Sequence, residues 1–376
     1  MRILTVLGTR PEAIKLAPLI HLLKKQSNIE NIVCSTGQHK EMLQQVFDVF
    51  DLRPDIHLDL MTPNQSLEDL TSKALLSLSA VCREQAPDLI LVQGDTTTAF
   101  IASLAGFYQK IKIGHIEAGL RTGHKYSPFP EEVNRALISK VADYHFAPTK
   151  RSAENLYRED TDKSSVFITG NTVIDALLYT KAKIKNDKEL RAQLSGQFSF
   201  LDPTKKLILV TGHRRENFDE GLGNLCEALL YLSRVREDIQ IVYPVHLNPN
   251  VQGPVYTNLK DKQNIFLISP QNYVPFLYLM MQSYFIISDS GGIQEETPTL
   301  QKPLLITRDT TERPEVLEAN CARLVGRDKE KLISEALHLL DSNEYYVSLK
   351  TDKNPFGDGT SSQKILKIID DKGSSK

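Results

Sequence analysis

Short apolar runs alternate with longer amphipathic stretches along the whole chain, and the series stops and then restarts. Ile3–Leu7, Ile32–Ser35, Leu89–Gln93, Ile111–His115, Tyr144–Ala147 and Val166–Thr169 have the length and composition of buried strands. Helical patterns such as Ala13–Lys25 and Leu67–Arg83 lie between them. A second set follows at Leu207–Thr211, Ile239–Pro244, Ile265–Ile268, Phe285–Ser288, Leu304–Thr307 and Arg323–Val325. Alternation of this kind predicts βαβ units and a parallel sheet, and the restart predicts two of them. At 376 residues the chain also exceeds what one hydrophobic core usually serves. The predicted fold class is α/β, with two Rossmann-like domains facing a central cleft.

The boundary is placed at about residue 170, where Thr169-Gly170-Asn171 closes the first set. Residues 1–170 then form the N-terminal domain and 171–360 the C-terminal one. Leu178–Pro203 is polar and charged and reads as helix followed by loop. A final helix at about Ser361–Asp371 can cross back onto the first domain, and Lys372–Lys376 reads as a disordered tail.

The net charge of −2 gives no basic footprint for nucleic acid or an anionic membrane. A phosphate ligand would have to be held locally, by a few placed cations and backbone dipoles. Cys34, Cys82, Cys226 and Cys321 are widely spaced with no CxxC pair, which predicts buried free thiols rather than disulfides or zinc ligands. Ile3–Leu7 is too short for a signal peptide's apolar region. No apolar run has the ~18 residues of a membrane span, so the expected location is cytoplasmic.

Open α/β sheets bind ligands beyond the carboxyl ends of their strands, and the segments there carry chemistry. Gly8-Thr9-Arg10-Pro11-Glu12-Ala13-Ile14-Lys15 is a turn into a helix that can send Arg10 and Lys15 to the cleft, or a plain βα turn with two solvated cations. It lacks the second and third glycines of a dinucleotide fingerprint, which argues against a redox cofactor. Asp95 in Gln93-Gly94-Asp95-Thr96 and Glu117 in Ile116-Glu117-Ala118-Gly119 both stand at strand ends. Glu131 opens a helix. Each has a bland reading as a cap or first-turn acid, but three acids from successive strand ends suit general acid–base work. In the second half, Thr211-Gly212-His213-Arg214-Arg215 reads as a phosphate or acid–base cluster. Ser288-Asp289-Ser290-Gly291-Gly292 feeding a helix is an anion site made of N–H groups. Glu296, one turn later, is placed to accept both hydroxyls of a ribose, and Arg313 adds a cation.

GTRPEAIK, GDTTT, HIEAGLRTG with SPFPEEVNR, TGHRREN, YPVHLNPNV, DSGGIQEE, RDTTERPE and NPFGDG occur in the order and spacing of the non-hydrolysing bacterial UDP-N-acetylglucosamine 2-epimerases. The chain resembles that family from residue 2 to about 370. The resemblance implies a glycosyltransferase-B-like pair of Rossmann domains, a homodimer, and interconversion of UDP-GlcNAc and UDP-ManNAc with neither cofactor nor metal. By motif, it implies Gln271 and Phe276 on uridine and Glu296 on ribose. Ser290, Gly291, Gly292, Arg10, His213 and Arg313 would surround the diphosphate, with Lys15 a further ligand-binding cation. Asp95, Glu117, Glu131 and His213 resemble the family's catalytic set. The implied route is loss of UDP to 2-acetamidoglucal and its re-addition, supplying ManNAc units for cell-surface polysaccharide. The second UDP-GlcNAc site of some members is matched at Gln38, Glu131, Arg214 and His246. Glu41 and Asn64 depart from it, as Thr297 and Gln301 depart from the family's usual Ala and Gly. A hydrolysing epimerase releasing ManNAc and UDP, a glycosyltransferase on the same fold, and a non-catalytic nucleotide-sugar sensor are the competing expectations.

Overall fold

The computed structural model describes residues 1–37, 40–60, 65–212, 214 and 220–373. The chain divides into two compact units, Met1–Tyr179 with Phe356–Lys376, and Thr180–Pro355. The division therefore falls between Tyr179 and Thr180 and again before Phe356, where the sequence reading set residues 170 and 360. Residues 171–179 stay with the first unit because they are stitched to the returning chain. The Asn171 N–H donates to the Phe356 carbonyl at 2.6 Å. The Asp175 carboxylate accepts the N–H groups of Ser362 and Ser361 at 2.7 and 3.3 Å. That carboxylate caps the Ser361–Gly373 helix.

In the first unit the strands are β1 Arg2–Leu7, β2 Glu30–Ser35, β3 Ile56–His57, β4 Leu89–Gln93, β5 Lys112–Ile116, β6 Tyr144–Ala147 and β7 Val166–Ile168. Among the described residues they form one sheet in the order β3-β2-β1-β4-β5-β6-β7, with parallel pairing. In the second unit the strands are β8 Lys206–Thr211, β9 Ile239–Pro244, β10 Ile265–Ile268, β11 Phe285–Ser288, β12 Leu304–Ile306 and β13 Ala322–Leu324. Their order is β10-β9-β8-β11-β12-β13, again parallel. Each sheet reverses its strand order once, between β1 and β4 and between β8 and β11, and such a reversal opens a crevice at the strand ends.

Helices on both faces leave the central strands no polar face. Every residue of β4 and of β11 is buried, which is why these segments read as unbroken apolar runs. Helix starts are fixed by side-chain caps: Ser66, Thr96 and Thr149 accept the N–H groups of Asp69, Ala99 and Ser152, each worth about 1 kcal/mol.

The strand β3 was not foreseen; two residues are too few to show a period. Leu178–Pro203 is covered by two helices, Thr172–Asn186 and Lys188–Gln197, followed by an irregular stretch. Thr297 is buried, and Gln301 ends its helix in the left-handed region at φ 54°, where glycine is the usual residue. All four cysteines are free and buried. No helix among the described residues is long and apolar enough to cross a membrane.

Candidate active site

The carboxyl ends of β1, β4, β5 and β7 bring charged and amide side chains together in the first unit. Glu117 follows β5 with its backbone in the left-handed region, φ 65°, a conformation that costs a non-glycine residue roughly 1–2 kcal/mol. That turn lays its carboxylate against three neighbours. Lys15 Nζ donates to Oε1 at 2.8 Å and to Oε2 at 2.6 Å. Gln93 Nε2 donates to Oε2, and Asn171 Nδ2 to Oε1 at 3.3 Å. Glu117 is 7% exposed, so Lys15 supplies the counter-charge that a buried carboxylate requires. Lys15, read from the sequence as a ligand-binding cation, is placed by the fold against an acid.

Asp95 follows β4, half-buried. Its Oδ2 is ion-paired with Arg135 Nη2, and its backbone carbonyl accepts Asn134 Nδ2 at 3.0 Å. Burial raises the Asp95 carboxyl above the ordinary aspartate value, and the charge of Glu117 adds to that; Arg135 and Lys15 oppose it. Asp95 therefore feels the charge of Glu117, and burial with a nearby like charge is the environment that favours the protonated form of a carboxyl. Arg135 in turn binds Glu132 Oε2 at 3.2 Å. The other oxygen of Glu132 accepts the N–H groups of Thr122 and Gly123, both at 2.9 Å, fixing the loop after Glu117. Glu131 opens the Glu131–Val141 helix. It is half-buried, and its Oε2 is buried with no hydrogen-bond partner among the described residues. Arg10 is the first residue of the Arg10–Lys24 helix and is half-buried.

The second unit builds its carboxyl edge differently. Ser290 is the N-cap of the Gly291–Leu300 helix and takes no side-chain cap bond, so the first-turn N–H groups have no acceptor within their own helix. Gly291 is buried and Gly292 exposed. A Cβ at Gly291 would lie 3.8 Å from the Arg313 guanidinium, which places that cation over the start of the helix. Arg313 is held there by its Nε–H, donated to Glu295 Oε1 at 2.5 Å, and by its backbone N–H, donated to Thr311 Oγ1 at 3.0 Å. Glu295 is 1% exposed. N–H groups, helix dipole and a fixed guanidinium together make an anion site. Glu296 is half-buried on the same helix.

Gln271 and Phe276 are half-buried in the second unit. Gln271 accepts Gln197 Nε2 at 2.8 Å and donates to the Ser269 carbonyl at 2.7 Å. The Arg214 N–H, after β8, donates to Asp289 Oδ2 at 2.9 Å, joining the loops on either side of the strand reversal. His246 is exposed after β9, its Nδ1 accepting the Asn248 N–H at 3.1 Å. His213, Gln38 and Asn64 lie outside the described residues, as does the side chain of Glu41.

Reading residues one segment at a time missed the partners that hold these groups. Gln93, Asn171, Arg135, Glu132 and Glu295 have no signal of their own, because each becomes meaningful only through a contact made in the folded unit. Glu12 is the exception. Thr9-Arg10-Pro11-Glu12 has the spacing of a helix capping box, and its Glu12 half is present, accepting the Gly8 and Thr9 N–H groups.

A family model described as UDP-N-acetylglucosamine 2-epimerase matches residues 21–370. A protein of Yersinia pestis named UDP-N-acetylglucosamine 2-epimerase is 52% identical over 369 residues, covering 98% of both chains. A crystal structure of UDP-GlcNAc 2-epimerase from Neisseria meningitidis, bound to UDP-GlcNAc, superposes with a TM-score of 0.93 at 48% identity, over 99% of this chain and 100% of that one. The Methanocaldococcus jannaschii UDP-GlcNAc 2-epimerase in complex with UDP-GlcNAc and UDP aligns with a TM-score of 0.81 at 33% identity, over 98% and 99% of the two chains.

Proposed function

Since the chain belongs to the UDP-N-acetylglucosamine 2-epimerase family and is an isomerase of UDP-GlcNAc, we propose that its two units divide the reaction between them. The second unit grips the nucleotide. Ser290, Gly291, Gly292 and Arg313 take the diphosphate, Glu296 the ribose hydroxyls, and Gln271 and Phe276 the uracil. The first unit acts on the sugar, with Asp95, Glu117 and Glu131 as acid–base groups and Lys15 as a cation, and it adds Arg10 to the diphosphate; His213, in the second unit's sequence, completes the acid–base set.

The chemistry accounts for that division. The C2 proton of a hexosamine is weakly acidic, so the C1–O bond breaks first and its electron pair leaves on UDP. The oxocarbenium-like centre at C1 acidifies the neighbouring C2–H. A carboxylate removes that proton, and its bonding pair becomes the C1=C2 double bond of 2-acetamidoglucal. Re-addition of UDP at C1, with a proton delivered to the other face of C2, gives UDP-ManNAc. Stabilising the departing diphosphate requires fixed dipoles and a cation. Moving protons on two faces requires at least two groups in different protonation states.

The observation that carries this reading is the buried Glu117 carboxylate held by Lys15, with the Arg135-paired Asp95 at the end of the neighbouring strand. Burial and the charge of Glu117 raise Asp95 above an ordinary aspartate, while Glu117 is bound by Lys15. The test is incubation with UDP-GlcNAc in deuterium oxide, followed by NMR. Deuterium at C2 of both UDP-sugars is expected. Free ManNAc would mean that water captures the intermediate instead, and absence of C2 exchange removes the proposed route.

We propose further that the protein is a homodimer. Leu76, Phe107, Tyr108, Val133 and Leu137 are exposed apolar residues on three neighbouring helices of the first unit, a concentration that favours a partner surface. A cytoplasmic location fits four free thiols. The product would supply ManNAc units to surface polysaccharide. Arg214 and His246, with Gln38, are the residues proposed for an effector UDP-GlcNAc.

A further inference from the structure

We infer that Glu12, to which the proposal above gives no role, is a positioning residue that holds the loop of Arg10 and the loop of Asp95 in one fixed arrangement. The inference rests on the roles proposed for Arg10 and Asp95.

Glu12 is 1% exposed. Its Oε2 accepts the Gly8 N–H at 3.0 Å and the Thr9 N–H at 2.7 Å, both in the loop between β1 and Arg10. Its Oε1 accepts the Thr96 hydroxyl at 2.7 Å, in the residue after Asp95. Thr96 Oγ1 is at the same time the cap of the next helix, accepting the Ala99 N–H at 3.0 Å. In the Thr96–Glu12 bond the hydroxyl donates, because a carboxylate can only accept. One carboxylate completes the start of the Arg10–Lys24 helix and orients the cap of the Thr97–Tyr108 helix. The two loops follow β1 and β4, the neighbours between which the strand order reverses.

A second contact pins the same two segments. The Thr36 and Thr98 hydroxyls lie 3.1 Å apart, and a Cβ at Gly8 would come within 2.4 Å of each. The turn before Thr9 is thus pressed against the first turn of the Thr97–Tyr108 helix, and only glycine fits there.

The chemistry at Glu12 favours an ionised carboxylate. Its three partners are all donors, and a carboxylate is acceptor-only. Burial raises its pKa above the ordinary glutamate value, against the bonds from Thr96, Gly8 and Thr9, and the helix dipole also favours the charge. Glutamine has nearly the same shape but would turn an amide NH2 toward Thr96 or toward the backbone donors. Losing the brace would let both loops shift, and a misplacement of about 1 Å can cost a hundredfold in rate.

The experiment compares Glu12→Gln, Thr96→Val, Thr96→Ser and the double variant Glu12→Gln/Thr96→Val in UDP-GlcNAc turnover, with C2 deuterium exchange in parallel. Glu12→Gln is expected to lower kcat about ten- to a hundredfold and to raise KM severalfold, because it frees an acid and a diphosphate cation together. Thr96→Val should do the same to a smaller degree, and Thr96→Ser, which keeps the hydroxyl, should stay within about threefold of wild type. The double variant should lose less than the two single losses combined, since both changes break the Glu12–Thr96 bond. A merely structural Glu12 would instead reduce the folded fraction, lowering apparent kcat at constant KM, with losses that add. That pattern overturns the inference, as does wild-type kcat and KM in Glu12→Gln. If Glu12→Gln folds poorly, Thr96→Val against Thr96→Ser decides alone, and equal kinetics in those two overturns it. A wild-type protein with no C2 exchange would overturn the functional reading and this inference with it. Wild-type exchange that Glu12→Gln matches overturns only the inference.

Discussion

The two units share the order of their first six strands, the first unit adding β7 at one edge, and both place their candidate residues at the carboxyl ends of the strands, yet they build that edge from different materials. In the first unit the edge is a lattice of side chains. Glu117 is bound by Lys15, Gln93 and Asn171, and Asp95 by Arg135. In the second it is largely backbone: a helix start at Gly291-Gly292, with the Arg313 guanidinium tied over it by Glu295. Side chains can change protonation and backbone N–H groups cannot. The first arrangement suits proton transfer, where charge moves, and the second suits holding a group whose charge is constant. Changes in the first unit should therefore appear in kcat, and changes in the second in affinity.

The sharpest test of that difference is Glu117→Gln. It removes an acid–base group and leaves Lys15 without its carboxylate partner, so kcat is expected to fall about 10²–10⁴-fold. UDP affinity by calorimetry should stay within about threefold, or 0.7 kcal/mol. A large loss of UDP affinity with kcat intact would reverse the assignment of the two edges.

Next in size is a contrast between two glycines. Gly119 has φ 88°, and a Cβ there would sit 2.1 Å from the Ser152 carbonyl oxygen. Gly119→Ala combines a left-handed backbone with a backbone clash, and should cost about 3 kcal/mol in denaturant unfolding. A Cβ at Gly291 meets only ordinary contact with Arg313 at 3.8 Å. Gly291→Ala should leave stability within about 1 kcal/mol while weakening UDP binding, because the added methyl covers the helix start. Equal stability losses in the two variants would show that Gly291 is a packing glycine.

These residues also mark what a single sequence shows and where it stops. Parallel strands buried on both faces leave unbroken apolar runs, so β4 and β11 were legible to the residue at both ends. The Ser-Gly-Gly turn was legible because the feature is local: strand end, small residues, helix start. Lys15 and Glu117 are 102 residues apart in the chain, and their pairing depends on the left-handed turn at Glu117, which favours glycine and which no local pattern announces. Asp175 binding the Ser361–Gly373 helix is the same problem over a longer separation, 187 residues to Ser362, and it is why residues 171–179 were placed with the wrong series. Strand ends and helix starts are written locally, whereas the bonds that turn them into a site are made between distant segments.

Arg313→Ala is the second unit's counterpart to Glu117→Gln, with a smaller expected effect. Losing hydrogen bonds from a charged donor to the diphosphate is worth about 1.5–3 kcal/mol, or roughly a ten- to hundredfold weaker UDP titration. If kcat falls by that factor at constant KM, Arg313 is stabilising charge that develops in the transition state rather than gripping the ground state, and both units share in the chemical step.

The smallest effect concerns a neutral group behind the first unit's lattice. His115 is fully buried, and its Nε2–H donates to the Gly94 carbonyl at 2.7 Å, one residue before Asp95. Burial pushes its pKa down to about 3, with His145, Arg121 and Arg135 adding to the shift while the bond to Gly94 opposes it. An unfolded histidine titrates near 6.5, so between those values the unfolded chain binds the extra proton. The stability tied to neutral His115 is then full above about pH 6.5 and is lost progressively as pH falls toward about 3. Buried carboxylates titrate in the same range, so the informative quantity is a difference between proteins. From pH 7.5 to pH 5, wild type should lose up to about 2 kcal/mol more unfolding free energy than His115→Gln, whose amide can keep the bond to Gly94 without titrating. Identical pH slopes in the two proteins would mean that the imidazole takes up a proton inside the fold at little cost. The Asp95 loop would then rest on a group that changes charge, and the first unit would have no fixed frame behind its titrating edge.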